Sequence, residues 1–340
     1  MKKAIHKVVP VLVLCLILGN VQGQDIQLSQ YYNLVQYSNP AFVGSSMGWR
    51  ATFQNRLQWP GVDSRYATSI AAMDYNLSKY RSGVGGMLIV DDQGASSIKT
   101  YQGIAQYSYQ LNLSSASTLR AGTSVGYVRR TLANSNLYYP SQFNGTGFDN
   151  SDNSSYSRNY LDIGAGILFH TSQFWIGLSA AHLNRPNQAF LGNADRLPTR
   201  FDVLAGYKIV LHAEPTMRYL EKNDKEVWAL YPSVLLKSQG KSTQMDIGLY
   251  SLYDVFQVGL WYRGIPIKNY SEQIINNEAL ILSAGCRFDH FSVTYSYDLS
   301  ISKLSPYSKG AHEISLNFLM PRKGLVRSGF KYKILPCPRL

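Results

Sequence analysis

Charge is scarce in this chain, and acid is the scarcer sign. Charged residues make up 16% of 340 residues, with 21 Asp and Glu against 33 Lys and Arg. Cysteine is almost missing: Cys15, Cys286 and Cys337 are the three copies. None has CxxC or Cys/His spacing, which excludes a disulfide-stapled scaffold and a metal site built on thiols. Cys15 lies in an N-terminal leader, so Cys286 and Cys337 can form one bridge at most. Long apolar runs are absent after the N-terminus. No stretch approaches the roughly 18 residues of a membrane helix, and no sustained amphipathic helix stands out. Catalytic signatures are missing too. His170, His182, His212, His290 and His312 form no HExxH, and no Ser/His/Asp signature is present. Gly83-Val84-Gly85-Gly86 lacks the Lys of a phosphate loop. These absences point away from an enzyme, and no cofactor or metal is expected. Asp149, Asn150, Asp152 and Asn153 have a calcium-like density of oxygens. They lack the closing Glu of an EF-hand and read as a solvated loop.

What is there begins with a leader. Lys2, Lys3 and Lys7 precede the apolar run Val8 to Leu18, and Val21 and Gly23 suit a signal-peptidase site before Gln24. Leu14 precedes Cys15 where a lipobox needs a small residue, so no lipid anchor is expected. The formal charge is 33 − 21 = +12. Six of those cations, Arg322, Lys323, Arg327, Lys331, Lys333 and Arg339, lie after Met320 with no acid among them. The positive charge therefore sits in a tail, unlike that of a nucleic-acid-binding face.

Between leader and tail the dominant signal has period two. Val293, Tyr295, Tyr297 and Leu299 alternate with Thr294, Ser296, Asp298 and Ser300. Ile314, Leu316 and Phe318 alternate with Glu313, Ser315 and Asn317. Tyr101, Ala105, Tyr107, Tyr109 and Leu111 face away from Gln102, Gln106, Ser108 and Gln110. Strands with one apolar and one polar face suit a soluble sandwich or an outer-membrane barrel. Strand candidates of membrane-crossing length, an uncharged polar face rich in Gln, Asn, Ser and Tyr, 25 tyrosines and a leader favour the barrel. The expected fold is all-β: one transmembrane antiparallel β-barrel of about 14 strands, counted from the periodicity. Candidate strands include 49–57, 66–77, 199–212, 255–265 and 278–288.

The connections sort into two sets. Those at 78–81, 113–116, 171–172, 253–254 and 289–290 are short, with 213–225 as a long exception. Those at 133–156, 183–198, 266–277 and 300–309 are long and read as outer loops. An even strand count then puts both termini in the periplasm. The expected organisation is a signal peptide at 1–23, a periplasmic or lumenal segment at 24–48, the barrel at 49–320 and a basic periplasmic tail at 321–340.

Two segments fall outside the strand rhythm. Gln27 to Ser45, QLSQYYNLVQYSNPAFVGS, is polar, aromatic and uncharged, with a turn marked at Asn39-Pro40. It can fold into the lumen as a partial plug, stay below to bind a partner, or serve as a plain lead-in to the first strand. The tail mixes cations with Leu, Val, Phe, Tyr and Ile and ends Pro336-Cys337-Pro338-Arg339. That mixture suits docking better than solvation. Candidate partner-binding residues are Trp59, in the turn after the first strand, and Arg327, Phe330, Lys331, Tyr332, Cys337 and Arg339 in the tail.

The mature opening QDIQLSQYYNLVQYSNPAFVGS, the RLQWPG at Arg56 to Gly61, the closing VTYSYDLS and GAHEISLNF, and the Pro-Cys-Pro-Arg ending together resemble the PorP/SprF family. The middle of the chain matches only in barrel rhythm. The resemblance implies an outer-membrane barrel of the type IX secretion system in Gram-negative bacteria that glide or secrete proteins. It further implies a non-enzymatic role in secreting or anchoring adhesins and other cargo with a C-terminal sorting domain. Periplasmic lipoprotein and ring components of the secretion machine are the implied partners. A passive porin or specific channel is the alternative.

Overall fold

Fifteen strand segments hydrogen-bond into a single closed ring. The computed structural model describes residues 25–62, 65–94, 98–132, 156–190, 192–214, 225–271, 274–288, 290–301 and 309–320. In chain order the strands are β1 (Trp49–Gln58), β2 (Tyr66–Leu77), β3 (Ser82–Asp92), β4 (Ile98–Asn112), β5 (Thr118–Leu132), β6 (Tyr156–His170), β7 (Phe174–Ala181), β8 (Arg200–Tyr207), β9 (Ile209–Glu214), β10 (Lys225–Gln239), β11 (Ser242–Tyr253), β12 (Phe256–Ser271), β13 (Ile274–Arg287), β14 (Phe291–Ser300) and β15 (Ala311–Met320). Apart from β8 and β9, which do not pair with each other, each pairs antiparallel with its neighbours in sequence, and β15 pairs with β1 from Trp49↔Met320 to Gln58↔Ala311. β8 and β9 both pair with β10 and are one crossing interrupted at Lys208. The wall is therefore a closed antiparallel barrel of 14 strands. The one helix among the described residues, α1 (Val35–Ser38), and a 3-10 turn at Pro40–Phe42 precede β1.

Side-chain alternation sets inside and outside. On β14, Ser292, Thr294, Ser296 and Asp298 are buried, while Tyr295 and Leu299 are bare. On β15, Glu313, Ser315 and Asn317 are buried while Ile314 and Phe318 are exposed. Leu88 is 65% exposed and Val258 61%, with Met73, Val125, Leu161, Leu249, Leu260 and Leu282 similarly bare. A soluble sandwich would cover these residues. A barrel turns such a band to hydrocarbon and its polar faces to the lumen. Aromatic pairs sit on the outer surface near the strand ends: Trp49 stacks on Tyr75 at 4.4 Å, and Trp228 meets Tyr253 edge-on at 6.0 Å. Aromatic rings at that level suit a headgroup region.

One rim carries the short turns after β2, β4, β6, β11 and β13, together with the start of β1 and the end of β15. The opposite rim carries the longer connections after β5, β7 and β14, along with tight two-residue connections after β10 and β12, while the long β9–β10 connection belongs to the first rim. Two expectations there need correcting. Residues 266–277 are largely strand, since β12 runs to Ser271 and β13 starts at Ile274. Pro266 reads as a loop signal, but the ladder absorbs it in register shifts between Arg263 and Asn269, where a strand tolerates proline. The candidate strand 199–212 is split into β8 and β9. The expected connections 133–156 and 213–225 fall almost wholly outside the described residues, as does most of 300–309.

Candidate functional site

The lumen is occupied by the chain's own residues from Asp25 to Gly48. Leu28 to Gln36 and Ser38 to Val43 are nearly all buried, Ala41, Phe42 and Val43 at 0% exposure. Asn39 makes the turn. Its side-chain Oδ1 accepts from Ala41 N at 2.9 Å, and its Nδ2 donates to the carbonyls of Ile167 at 2.9 Å and Leu178 at 3.1 Å. Pro40 then starts the 3-10 turn, a position where its missing N–H costs little.

The wall is cut to fit this turn. A Cβ added at Gly122 would lie 2.4 Å from Ala41 N, one at Gly83 2.2 Å from Val43 O, and one at Gly166 2.2 Å from Asn39 Oδ1. Those three strands lack side chains where the insert passes, its backbone at Gly83 and Gly122 and the Asn39 side chain at Gly166. Arg120, on the same wall, donates to the carbonyls of Ala41 at 2.9 Å and Val43 at 2.6 Å. The insert's exposed peptide groups are thus satisfied by wall side chains, as a non-regular segment in a lumen requires.

Charge holds the other end of the insert. Glu313 accepts from the backbone N–H groups of Ser29 at 2.9 Å and Gln30 at 2.7 Å, and from Arg56 Nη1 at 2.9 Å. Asp298 accepts from Ser29 Oγ at 2.6 Å and from Arg56 and Arg263 at 2.9 Å each. Arg263 also pairs with Asp246 at 2.9 Å. Two arginines and three carboxylates from five strands therefore meet around Ser29. Each buried charge finds an opposite one, which burial demands. A second knot lies toward the longer connections. Asp25 accepts from Arg200 at 2.5 Å and contacts His182 Nε2 at 2.7 Å, while His182 Nδ1 lies 2.8 Å from Asp162. His182 follows the end of β7. Burial opposes its charged form, but the Asp25 carboxylate and the hydrogen bonds to Asp162 and Asp25 outweigh it. Its pKa is pushed up to about 9.

On the short-turn side of the Ser29 knot runs an aromatic stack. Tyr32 of the insert lies 4.7 Å from Trp261 and 5.2 Å from Tyr250, both nearly parallel, and Tyr250 stacks on Tyr231 at 4.8 Å. Gly248 and Gly259 make room for the Trp261 ring, since a Cβ at either would sit about 2 Å from it. Wall and insert thus share one interdigitated core.

Above the insert, on the side of the longer connections, a cavity of about 550 Å³ remains. Trp59 lines it, at a positive φ of 56° and edge-on to Tyr66 at 5.5 Å. Trp59 is the one predicted site residue that the structure describes. Arg327, Phe330, Lys331, Tyr332, Cys337 and Arg339 lie outside the described residues, and so do Asp149, Asn150, Asp152 and Asn153. Among the described residues no group of His, Cys, Asp and Glu side chains is arranged to hold a metal ion. Sequence reasoning did not single out the lumenal charges Arg56, Arg120, Asp246, Arg263 and Asp298. Their signal was a charge on the polar face of a strand that crosses hydrocarbon, which needs an inward partner.

The family model for the type IX secretion system membrane protein PorP/SprF matches residues 20–318. The chain belongs to the PorP/SprF family. No curated protein matches it. Among solved structures, the toluene transporter TodX of P. putida is similar at a TM-score of 0.50 and 9% identity, over 85% of this chain and 94% of that one. The Ralstonia pickettii toluene transporter TbuX gives 0.46 and 10%, over 84% and 91%. The Acinetobacter baumannii outer membrane protein Omp33 gives 0.40 and 10%, over 82% and 100%. At such identities the likeness is one of fold. Family and fold together place this PorP/SprF protein in the outer membrane.

Proposed function

We propose that this PorP/SprF barrel is a non-enzymatic anchor and docking platform of type IX secretion. Secreted cargo or adhesin with a C-terminal sorting domain is held at the rim of the longer connections, around Trp59, residues 133–156 and 183–198, and the β12–β13 hairpin. The basic tail, 321–340, lies in the periplasm with both termini and docks to lipoprotein and ring components through Arg327, Phe330, Lys331, Tyr332, Cys337 and Arg339. Where the cargo is an adhesin, the same anchoring serves gliding.

One observation carries this reading: the lumen is filled by residues 25–48, locked by the ion pairs around Ser29 and the glycine-lined turn at Asn39. A barrel closed in this way offers surfaces. The rival reading is a passive porin or specific channel, a role consistent with the fold shared with the toluene transporter TodX. The cavity mixes apolar residues such as Met87, Ile104 and Val128 with buried Gln, Asp and Arg, and those polar groups do not suit a hydrocarbon. The test is affinity purification in mild detergent beside planar-bilayer recording. The anchor reading expects a cargo domain or periplasmic lipoprotein to co-purify, with little conductance. A barrel that emerges alone at every salt concentration, with open-pore currents, overturns it.

A further inference from the structure

We propose that the cavity above the lumenal insert is a binding site for a short neutral saccharide. The proposal is independent of which partners hold the barrel's two rims. The volume, about 550 Å³, falls in the range of small-molecule sites. The charges around it do not call for an ionic ligand. Three Asp and three Arg line it together with His182. Asp25, Asp162, His182 and Arg200 are knotted to one another, and Arg56 to Asp298 and Glu313. Asp91 accepts from Thr68 and Gln93, and Arg130 donates to Gln188.

What is left open is neutral and polar. The register across β4, β5 and β6 places Gln102, Val128 and Tyr160 in one row and Gln106, Ser124 and Gly164 in a deeper one. Gln102 and Tyr160 line the cavity, and their side chains make no hydrogen bond among the described residues. Gln106 donates its Nε2 to Gln36 O at 2.9 Å, but its Oε1 is buried without a donor. Side-chain amides offer donor and acceptor at neighbouring positions, which matches adjacent sugar hydroxyls. Trp59, Tyr66 and Tyr160 supply rings with polar tips for the apolar faces of a pyranose.

The depth of the site comes from Gly126. A Cβ there would meet Ile104 Cγ1 at 3.4 Å, Asp162 Cβ at 3.7 Å and Asp162 O at 3.8 Å, all ordinary contacts, so a side chain can be added without a backbone clash. Gly126→Leu fills the cavity, and Gln102→Leu removes the open amide while leaving the space. The full chain in detergent is titrated calorimetrically with maltotriose, mannotriose and triacetylchitotriose. We expect one of these to bind saturably in the millimolar range or tighter. Each variant, checked for heat-modifiable migration of a folded barrel, should weaken that binding at least ten-fold. A polymer of the same unit is then added as competitor: displacement assigns a chain end as the ligand, and its absence a free sugar. No binding by any of the three, or wild-type affinity in Gly126→Leu, overturns the proposal. If Gly126→Leu does not fold, wild-type affinity in Gln102→Leu overturns it.

Discussion

Glu313, in the last strand, accepts the backbone N–H of Gln30, in the lumenal segment before the first strand, at 2.7 Å across the lumen. The same carboxylate takes Ser29 N and Arg56, so one side chain joins the insert to two wall strands.

Glu313→Ala should therefore loosen the insert and the β1–β15 seam together. It leaves Arg56 with Asp298 as its one carboxylate partner among the described residues and strips two insert N–H groups of their acceptor. Removing one partner of a buried pair costs roughly 3–5 kcal/mol. The measure is thermal unfolding in detergent, followed by the shift of the folded band on unheated gels. Unchanged unfolding temperature would show the pair to be worth little here.

Steric expulsion tests the seat of the turn. Gly122→Val would place its Cβ 2.4 Å from Ala41 N, where backbone must move. The wall itself can keep its ladder, because a β-branched residue suits a strand. Loss of protection of the insert against protease in the folded barrel is the expected result.

Deleting residues 25–45 removes the insert without touching the wall strands. Planar-bilayer conductance should rise from near zero to that of an open pore of this strand number. A small, unchanged conductance would mean that the wall or its connections close the lumen unaided.

The Asp25–His182 contact makes the upper knot sensitive to alkali. With its pKa raised to about 9 from the usual 6.5, the imidazolium's contribution is complete below about 6.5 and is lost as pH rises through about 9. Stability of the wild type should fall between pH 7 and 10 more steeply than that of His182→Gln. Parallel pH profiles of unfolding temperature would remove His182 from this role.

Much of the barrel was legible because its code is local. Val293 to Ser300 alternate so cleanly that one strand predicts its own inside and outside. The connections were harder. Pro266 and the polar run after it read as a loop, yet pairing across β12 and β13 extends both strands through most of it. Pairing is a property of two segments, and one sequence window does not show it. The lumenal site was legible in part. An uncharged polar segment behind a leader suggested a plug among other uses. Its partners Asp298 and Glu313 lie some 250 residues or more away, and no spacing rule links them to Ser29.

That separation governs how the molecule can be made. The segment synthesised first finds its ligands on strands synthesised last, and loop closure over such distances is slow. Since β15 also seals against β1, zipping shut and seating the lumenal segment are a single event. An unfinished wall would leave Arg56 without Glu313, the N–H groups of Ser29 and Gln30 without an acceptor, and the edge of β1 unpaired. Biogenesis should therefore run all-or-none, with chains truncated before Glu313 cleared rather than retained as gaping half-barrels.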